Sequence, residues 1–331
     1  MNYIGSKHRL SEFIKTTVKE VCGDDISQKT FCDLFAGTGS VGRNFKPLVK
    51  SVIANDFEYY SYVLNRNYIG NHKEIIADDY FKELNNLQGS PGFLFHHYGE
   101  GGDSKRLYFS KENAQKIDAI RQKIEDWKHT GKISEDTYFL LLASLIESAD
   151  KIANTASVYG AFLKEVKKAA RTPIRLEPAT FDKTVNSHTV FQEDGNTLVK
   201  KIEGDILYLD PPYNVRQYGA NYHILNTIAK YDTFAPRGKT GLRNYNRSVY
   251  CSSVKVVAAF EELIKNAQFK HIFLSYNNEG LMPPDVVREI MQRYGKYNLA
   301  TVAYKRFKAD KTTSRNHKAI GTTEYLHILE K

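Results

Sequence analysis

Apolar residues recur at helical spacing over residues 10–22, where Leu10, Phe13, Ile14, Val18 and Val21 share one face. A short apolar run, Thr30-Phe31-Cys32-Asp33-Leu34-Phe35, follows and stops abruptly at Ala36-Gly37-Thr38-Gly39-Ser40-Val41-Gly42. A run this short that ends in glycines predicts a buried strand delivering a tight turn. Residues 51–56 predict a second strand ending in the carboxylate of Asp56, and residues 58–68 a helix after it. Strand, glycine turn, helix, strand, acid is the opening of a doubly wound α/β sheet.

The alternation then stops. From about Asp79 to His188 the pattern is mostly helical, notably over 112–127 and 137–154, with glycine-rich loops around 89–102 and a basic stretch over 164–175. Strand signals return at 189–191, 206–209 and 271–276, and two further strands are expected at 300–307 and 323–329 across a polar, basic connection. The expected organisation is a catalytic domain from 1–78 and 189–331, with a mostly helical domain inserted at 79–188.

Composition narrows the classes. At 331 residues and 41% hydrophobic, the chain has enough apolar material for a core and is not a disordered segment. Its net charge of +9 favours polyanionic partners, and its 22 tyrosines and 18 phenylalanines offer faces for stacking on bases as well as for core packing. Cys22, Cys32 and Cys251 are far apart and form no C-x-x-C pair, which argues against a structural zinc site or a disulfide framework. A membrane span needs about 18 consecutive apolar residues, and the sequence contains no such run; together with an N-terminus unlike a signal peptide this predicts a cytoplasmic protein.

The glycine turn carries the first chemistry. Glycine lets a backbone pass close to a ligand and adopts positive φ without strain. Gly37, Gly39 and Gly42 form G-x-G-x-x-G, and Asp56 at the end of the next strand is placed to accept from the two hydroxyls of a ribose. Asp33, in the strand just before the turn, would repel a pyrophosphate but suits a ligand with a cationic amino end. That favours S-adenosylmethionine over a nicotinamide dinucleotide, against the plainer reading of an ordinary tight turn.

Asp210-Pro211-Pro212-Tyr213 follows the apolar run 206–209, so it falls at the carboxyl end of a buried strand, the edge where open α/β sheets bind ligands. The prolines fix φ near −65° and remove two N–H donors, so the turn presents carbonyl oxygens and the Asp210 carboxylate from one rigid patch. An exocyclic aromatic amine is a poor nucleophile because its lone pair is delocalised into the ring. Two acceptors, the Asp210 carboxylate and the Pro211 carbonyl, can hold its two protons and aim the lone pair at a methyl sulfonium. Tyr213 offers a stacking face for a base swung out of the duplex. A rigid turn with a capping aspartate is the competing reading.

These motifs resemble the D12 class of DNA adenine N6-methyltransferases, which includes the Dam-like enzymes. Asn2-Tyr3-Ile4-Gly5-Ser6-Lys7 is similar to its opening motif, Asp33-Leu34-Phe35-Ala36-Gly37-Thr38-Gly39 to its cofactor loop, and Asp210-Pro211-Pro212-Tyr213 to its catalytic motif. Cofactor loop first, catalytic motif last, with a recognition insert between them, is the family's α-type order. The resemblance covers roughly 1–75 and 189–331. It implies a Rossmann-like S-adenosylmethionine-dependent methyltransferase sheet with an inserted, mostly helical target-recognition domain. It implies that Tyr3, Lys7, Asp33, Phe35, Gly37, Gly39, Asp56, Asp194 and Gly195 bind the cofactor: Lys7 its methionine carboxylate, Asp33 its amino group, Asp56 its ribose, and Asp194, beside the Gly195 backbone, its adenine amino group. The stretch from Asn214 through His223 is closer to a restriction-modification subgroup than to the housekeeping enzyme, which implies an endonuclease as functional partner. The insert shows no match to that enzyme, so its target sequence is not inherited.

Double-stranded DNA is the expected macromolecular partner. Lys168 and Arg171 in the insert, and Arg237, Arg243 and Arg247 after the catalytic motif, are candidate phosphate ligands, as is a third basic segment containing Lys305, Arg306, Lys308, Lys311, Arg315 and Lys318. No metal is implied, because the methyl sulfonium is already activated. The alternatives left open are N4 methylation of cytosine, methylation of RNA or protein, and a non-catalytic DNA-binding protein on the same fold. His223 could line a base pocket or be an ordinary buried histidine.

Overall fold

The computed structural model describes residues 10–305 and 321–331. They fall into two compact units, one made of residues 10–57, Thr184–Gln217 and 246–331 less the undescribed stretch, the other of Glu58–Lys183 and Tyr218–Tyr245.

The first unit is a seven-stranded sheet. Its strands are β1 (Thr30–Asp33), β2 (Ser51–Asn55), β3 (Thr189–Phe191), β4 (Glu203–Leu209), β5 (Gln268–Asn277), β6 (Lys296–Lys305) and β7 (Gly321–Glu330), in the order β3-β2-β1-β4-β5-β7-β6. β1 to β5 run parallel, while β7 inserts antiparallel between β5 and β6. This is the open, mostly parallel Rossmann-like sheet that the family resemblance implies. The order reverses at β1, so the crevice at the carboxyl ends of β1 and β4 is the natural ligand site of such a sheet.

Alternation along the strands explains the layers. Cys32, Leu207, Leu209, Ile272 and Leu274 face one side, where Val256, Phe260, Leu263 and Ile264 of the helix Val256–Asn266 and Val287, Ile290 and Met291 of the helix Pro284–Gln292 cover them. On the other face Phe31 stacks on Phe45 of the helix Ser40–Phe45, with centroids 4.0 Å apart, and on Tyr208. Ile14 and Val18 of the helix Ser11–Cys22 are buried on the expected apolar face. Each fully buried side chain of this size contributes about 1.5–3 kcal/mol.

The second unit is helical. Lys111–His129 and Glu135–Lys151 begin at Ser110 and Ser134, whose hydroxyls accept from the N–H groups of Asn113 and Thr137. Glu135–Lys151 is buried on almost every face from Thr137 to Ala149, and packs against Tyr59–Asn65, Lys111–His129 and His223–Lys230. Asp118 accepts from the N–H groups of Gly92, Leu94 and Phe95 and from the Tyr231 hydroxyl, fixing the start of Phe93–Tyr98. The unit begins at Glu58 and takes in 218–245, whereas the periodicity set the insert at 79–188. The reason is packing: Tyr59–Asn65 and His223–Lys230 bury their apolar faces within the helical unit. Among the described residues no helix is long and apolar enough to cross a membrane.

Candidate active site

Four segments leave the carboxyl ends of β3, β2, β1 and β4, and the described motif residues of the sheet unit lie on them or, for Asp33, at the last position of β1. The first follows β1. Pairing continues for a step beyond the strand on both sides: Leu34 N–H donates to the Tyr208 carbonyl at 3.1 Å and Ala36 N–H to the Asn55 carbonyl at 2.9 Å. The chain then turns sharply, with Gly37 at φ +54° and Gly39 at φ +77°, left-handed values that account for glycine at both positions. Gly37 N–H donates to Asp56 Oδ2 at 2.8 Å, tying the turn to the acid after β2.

Asp33 closes the turn from beneath. Its carboxylate is 1% exposed; Oδ2 accepts the Gly42 N–H at 3.0 Å, and Oδ1 is buried with no hydrogen-bond partner among the described residues. Burial pushes its pKa up to about 8, the Gly42 hydrogen bond opposes that, and the charges of Asp210 and Asp56 add to the rise. A buried acceptor with no partner among the described residues, close to the carboxylates of Asp56 and Asp210, is a place for a cation. The acceptor set therefore fits the ammonium and ribose of S-adenosylmethionine, and does not fit a pyrophosphate.

The segment after β3 brings Asp194 and Gly195 to the same edge. Asp194 Oδ1 caps the short helix Gly195–Leu198, accepting from Thr197 N–H at 3.0 Å and Thr197 Oγ1 at 3.3 Å. A carboxylate keeps further lone pairs for a ligand. The neighbouring Glu193 carboxylate pairs with Lys201 at 2.6 Å. Gly195 lies against Phe35: a Cβ there would stand 3.0 Å and 3.1 Å from two ring carbons. Phe35 also meets Tyr250 edge-on at 5.1 Å.

Asp210, Pro211, Pro212 and Tyr213 leave β4 next to the glycine turn, with Pro211 buried and the other three half-buried. The Tyr213 carbonyl accepts the Leu281 N–H at 3.1 Å, so the loop after β5 holds the motif from behind. Gly280 in that loop lies against the Tyr276 ring too closely for any side chain. Sequence reasoning missed this support, and missed Asn55, whose side chain bonds to the segments after β1 and β3. A strand-final Asn beside a motif acid was the available signal.

The basic candidates separate. Lys168, Arg237 and Arg247 are exposed. Arg171 is exposed but forms a two-pronged ion pair with Glu100. Arg243 must be withdrawn as a phosphate ligand: it is 7% exposed, chelates Asp232 through both carboxylate oxygens at 2.8 and 2.7 Å, and lies 4.9 Å over the Phe234 ring. In the helical unit Tyr108 donates to the carbonyls of Tyr159 and Thr240, and Arg106 to those of Gly238 and Lys239. These contacts draw together the loops that lead to Lys164 and that carry Arg237 and Lys239. His223 is fully buried in the same unit, beside Tyr108 and the Tyr159 carbonyl, and burial pushes its pKa down to about 4. Tyr3, Lys7 and the basic segment from Lys305 to Lys318 lie outside the described residues or side chains.

The chain matches the family model of the D12 class N6 adenine-specific DNA methyltransferases over residues 3–290. It is 62% identical to the type II methyltransferase M.NlaIII of Neisseria lactamica over 332 aligned positions, covering 100% of this chain and 99% of that protein. It is 36% identical to the type II methyltransferase M.CviAII of Paramecium bursaria Chlorella virus 1, covering 93% of each. It is 37% identical to the type II methyltransferase M.FokI of Planomicrobium okeanokoites, where it spans 100% of this chain but 53% of the relative.

Proposed function

The chain belongs to the D12 class of N6 adenine-specific DNA methyltransferases, and from that premise we propose how its own residues carry methyl transfer from S-adenosylmethionine to the N6 amino group of adenine in DNA. The cofactor supplies a methyl group already activated on a sulfonium, which leaves binding, orientation and proton handling to the protein. Asp33 receives the methionine ammonium at the oxygen that Gly42 does not engage. Asp56 receives the ribose hydroxyls beside the Gly37 N–H. Phe35, Asp194 and the Gly195 backbone border the adenine ring, and Lys7 takes the carboxylate, as the family resemblance implies.

Asp210 and the Pro211 carbonyl hold the two N6 protons of a flipped adenine, and the Tyr213 ring stacks on it. As N6 takes the methyl group it becomes cationic and sheds a proton towards the Asp210 carboxylate. The gain comes from orientation and from fixed acceptors aimed at the charge that develops. The observation that carries this reading is the pairing of β1 with β4, which sets Asp33 and Asp210 at neighbouring strand ends with their charges coupled.

Target recognition belongs, in this reading, to the helical unit, where Lys168, Arg237 and Lys239 are exposed. Relatives named as type II methyltransferases suggest that the methylation shields DNA from a cognate endonuclease. The test is Asp210→Ala: transfer falls by about 10²–10³-fold or more while S-adenosylmethionine binding stays near wild type. Unchanged methylation by this variant removes Asp210 from the chemistry. Nucleoside digestion reads the product, and N4-methylcytosine without N6-methyladenine would overturn the base assignment. Single-molecule sequencing of DNA from expressing cells then gives the target sequence.

A further inference from the structure

Asn55 is the last residue of β2 and is 1% exposed. Both ends of its amide are spent on the neighbouring segments. Nδ2 donates to the Leu34 carbonyl at 3.0 Å and to the Glu193 carbonyl at 3.1 Å, and Oδ1 accepts the Glu193 N–H at 2.9 Å. Its own carbonyl accepts the Ala36 N–H, and Asp56 follows it directly in the chain. One residue thus joins the segment of Asp33 to Gly39, the segment of Asp56 and the segment of Asp194 and Gly195.

In the proposed binding mode these three segments receive the methionine, ribose and adenine portions of the cofactor, and the role of Asn55 rests on that reading. The strand ladders end here: the β1–β2 register closes at Asp33 with Ala54, and the β2–β3 register at Asn55 with Phe191. Beyond those points backbone pairing continues for one step only, through Ala36 N–H to the Asn55 carbonyl and Asp56 N–H to the Phe191 carbonyl, and the Asn55 side chain adds the link from the segment after β1 to the segment after β3. Only an amide of this length serves. Aspartate would set a carboxylate against two carbonyl oxygens, leucine has the volume but no polar atoms, and serine cannot reach all three partners.

We propose that Asn55 is a positioning residue that sets the spacing of the three cofactor-binding segments, and so governs cofactor affinity without taking part in methyl transfer. The test uses the full chain with Asn55→Leu and Asn55→Ser. It measures the Kd for S-adenosylmethionine by calorimetry, KM for the cofactor, kcat at saturating cofactor, and Tm. Leaving buried backbone groups unpaired predicts a rise of about tenfold or more in Kd and KM for Asn55→Leu, with kcat within about twofold of wild type. Asn55→Ser, which keeps one hydroxyl, falls between. Phe260→Leu, in the core beneath the sheet, lowers Tm but leaves Kd unchanged, which separates general destabilisation from loss of spacing. A wild-type Kd in Asn55→Leu overturns the proposal, as does a fall in kcat with Kd unchanged. If Asn55→Leu fails to fold, a wild-type Kd in Asn55→Ser overturns it equally. A wild-type chain that binds no S-adenosylmethionine would sink the cofactor reading instead.

Discussion

In the proposed binding mode, Asp33 makes cofactor binding a proton-linked event. Its carboxyl is fully buried, its pKa is pushed up to about 8 by burial, and it lies close to Asp56 and Asp210. At pH 7 it therefore carries a proton in the cofactor-free protein. An ammonium donating to Oδ1 favours the ionised form, so binding must expel that proton. With the free-protein pKa near 8, about 0.9 proton leaves per cofactor bound at pH 7, and affinity improves roughly 30-fold between pH 5.5 and 7.0. That window lies below the titration of the ligand's own α-amino group, at about 7.7–8.0. Stability runs the other way. The unfolded carboxyl ionises near 4 while the folded one holds its proton to about 8, so between those values the folded state binds more protons. Cofactor-free stability then falls with rising pH, by about 2–3 kcal/mol from pH 5 to 7, and the loss is complete above the folded pKa. Asp33→Asn keeps an acceptor for the Gly42 N–H but cannot ionise. It should flatten the stability slope, leave the free protein at least as stable as wild type at pH 7, and weaken cofactor binding. Calorimetry in two buffers of different ionisation enthalpy counts the protons, and urea melts at pH 5 and 7 give the slope. A proton count near zero at pH 7, or an identical slope in Asp33→Asn, refutes the linkage.

Gly195→Ala tests the contact with Phe35. The new methyl would stand 3.0–3.1 Å from the ring, so Phe35 must yield; the expected cost is about 1–3 kcal/mol in stability with weaker cofactor binding, read by Tm and Kd, and an unchanged Kd would detach this contact from the pocket. The arginines make a paired prediction. Arg237→Ala should lower the salt dependence of DNA binding by about one unit of log–log slope with Tm unchanged. Arg243→Ala should leave Asp232 without its partner and Phe234 uncovered, lowering Tm while the salt slope at a temperature below unfolding stays as in wild type. A reduced slope in Arg243→Ala alone would reverse the two assignments.

What the sequence made legible was chemistry carried by neighbouring residues. A glycine turn bounded by Asp33 and a Pro-Pro turn bearing Asp210 are local objects, and their place at strand ends follows from the apolar runs before them. The order of strands was not legible, since nothing local tells β7 to insert between β5 and β6. Arg243 shows the limit for charge: beside Arg237 in sequence it looks like another phosphate ligand, and only the chain's return past Asp232 and Phe234 turns it inward.

Asn55 shows the limit for polar groups in strands. As a residue type it is a poor strand former, and the apolar run over 51–56 predicts its strand without predicting any role for its side chain. Its three side-chain bonds reach partners 21 and 138 residues away, so no window of sequence contains them. The same separation explains why the site can be assembled at all. The helical segments leave the sheet after Phe57 and the chain returns at Thr184, so the segments of Asp56 and Asp194 meet only when β3 pairs with β2. In the proposed binding mode, a buried amide that is satisfied in that register makes the cofactor cradle and the sheet pairing one condition. Disturbing the register should therefore cost cofactor affinity before it costs the fold.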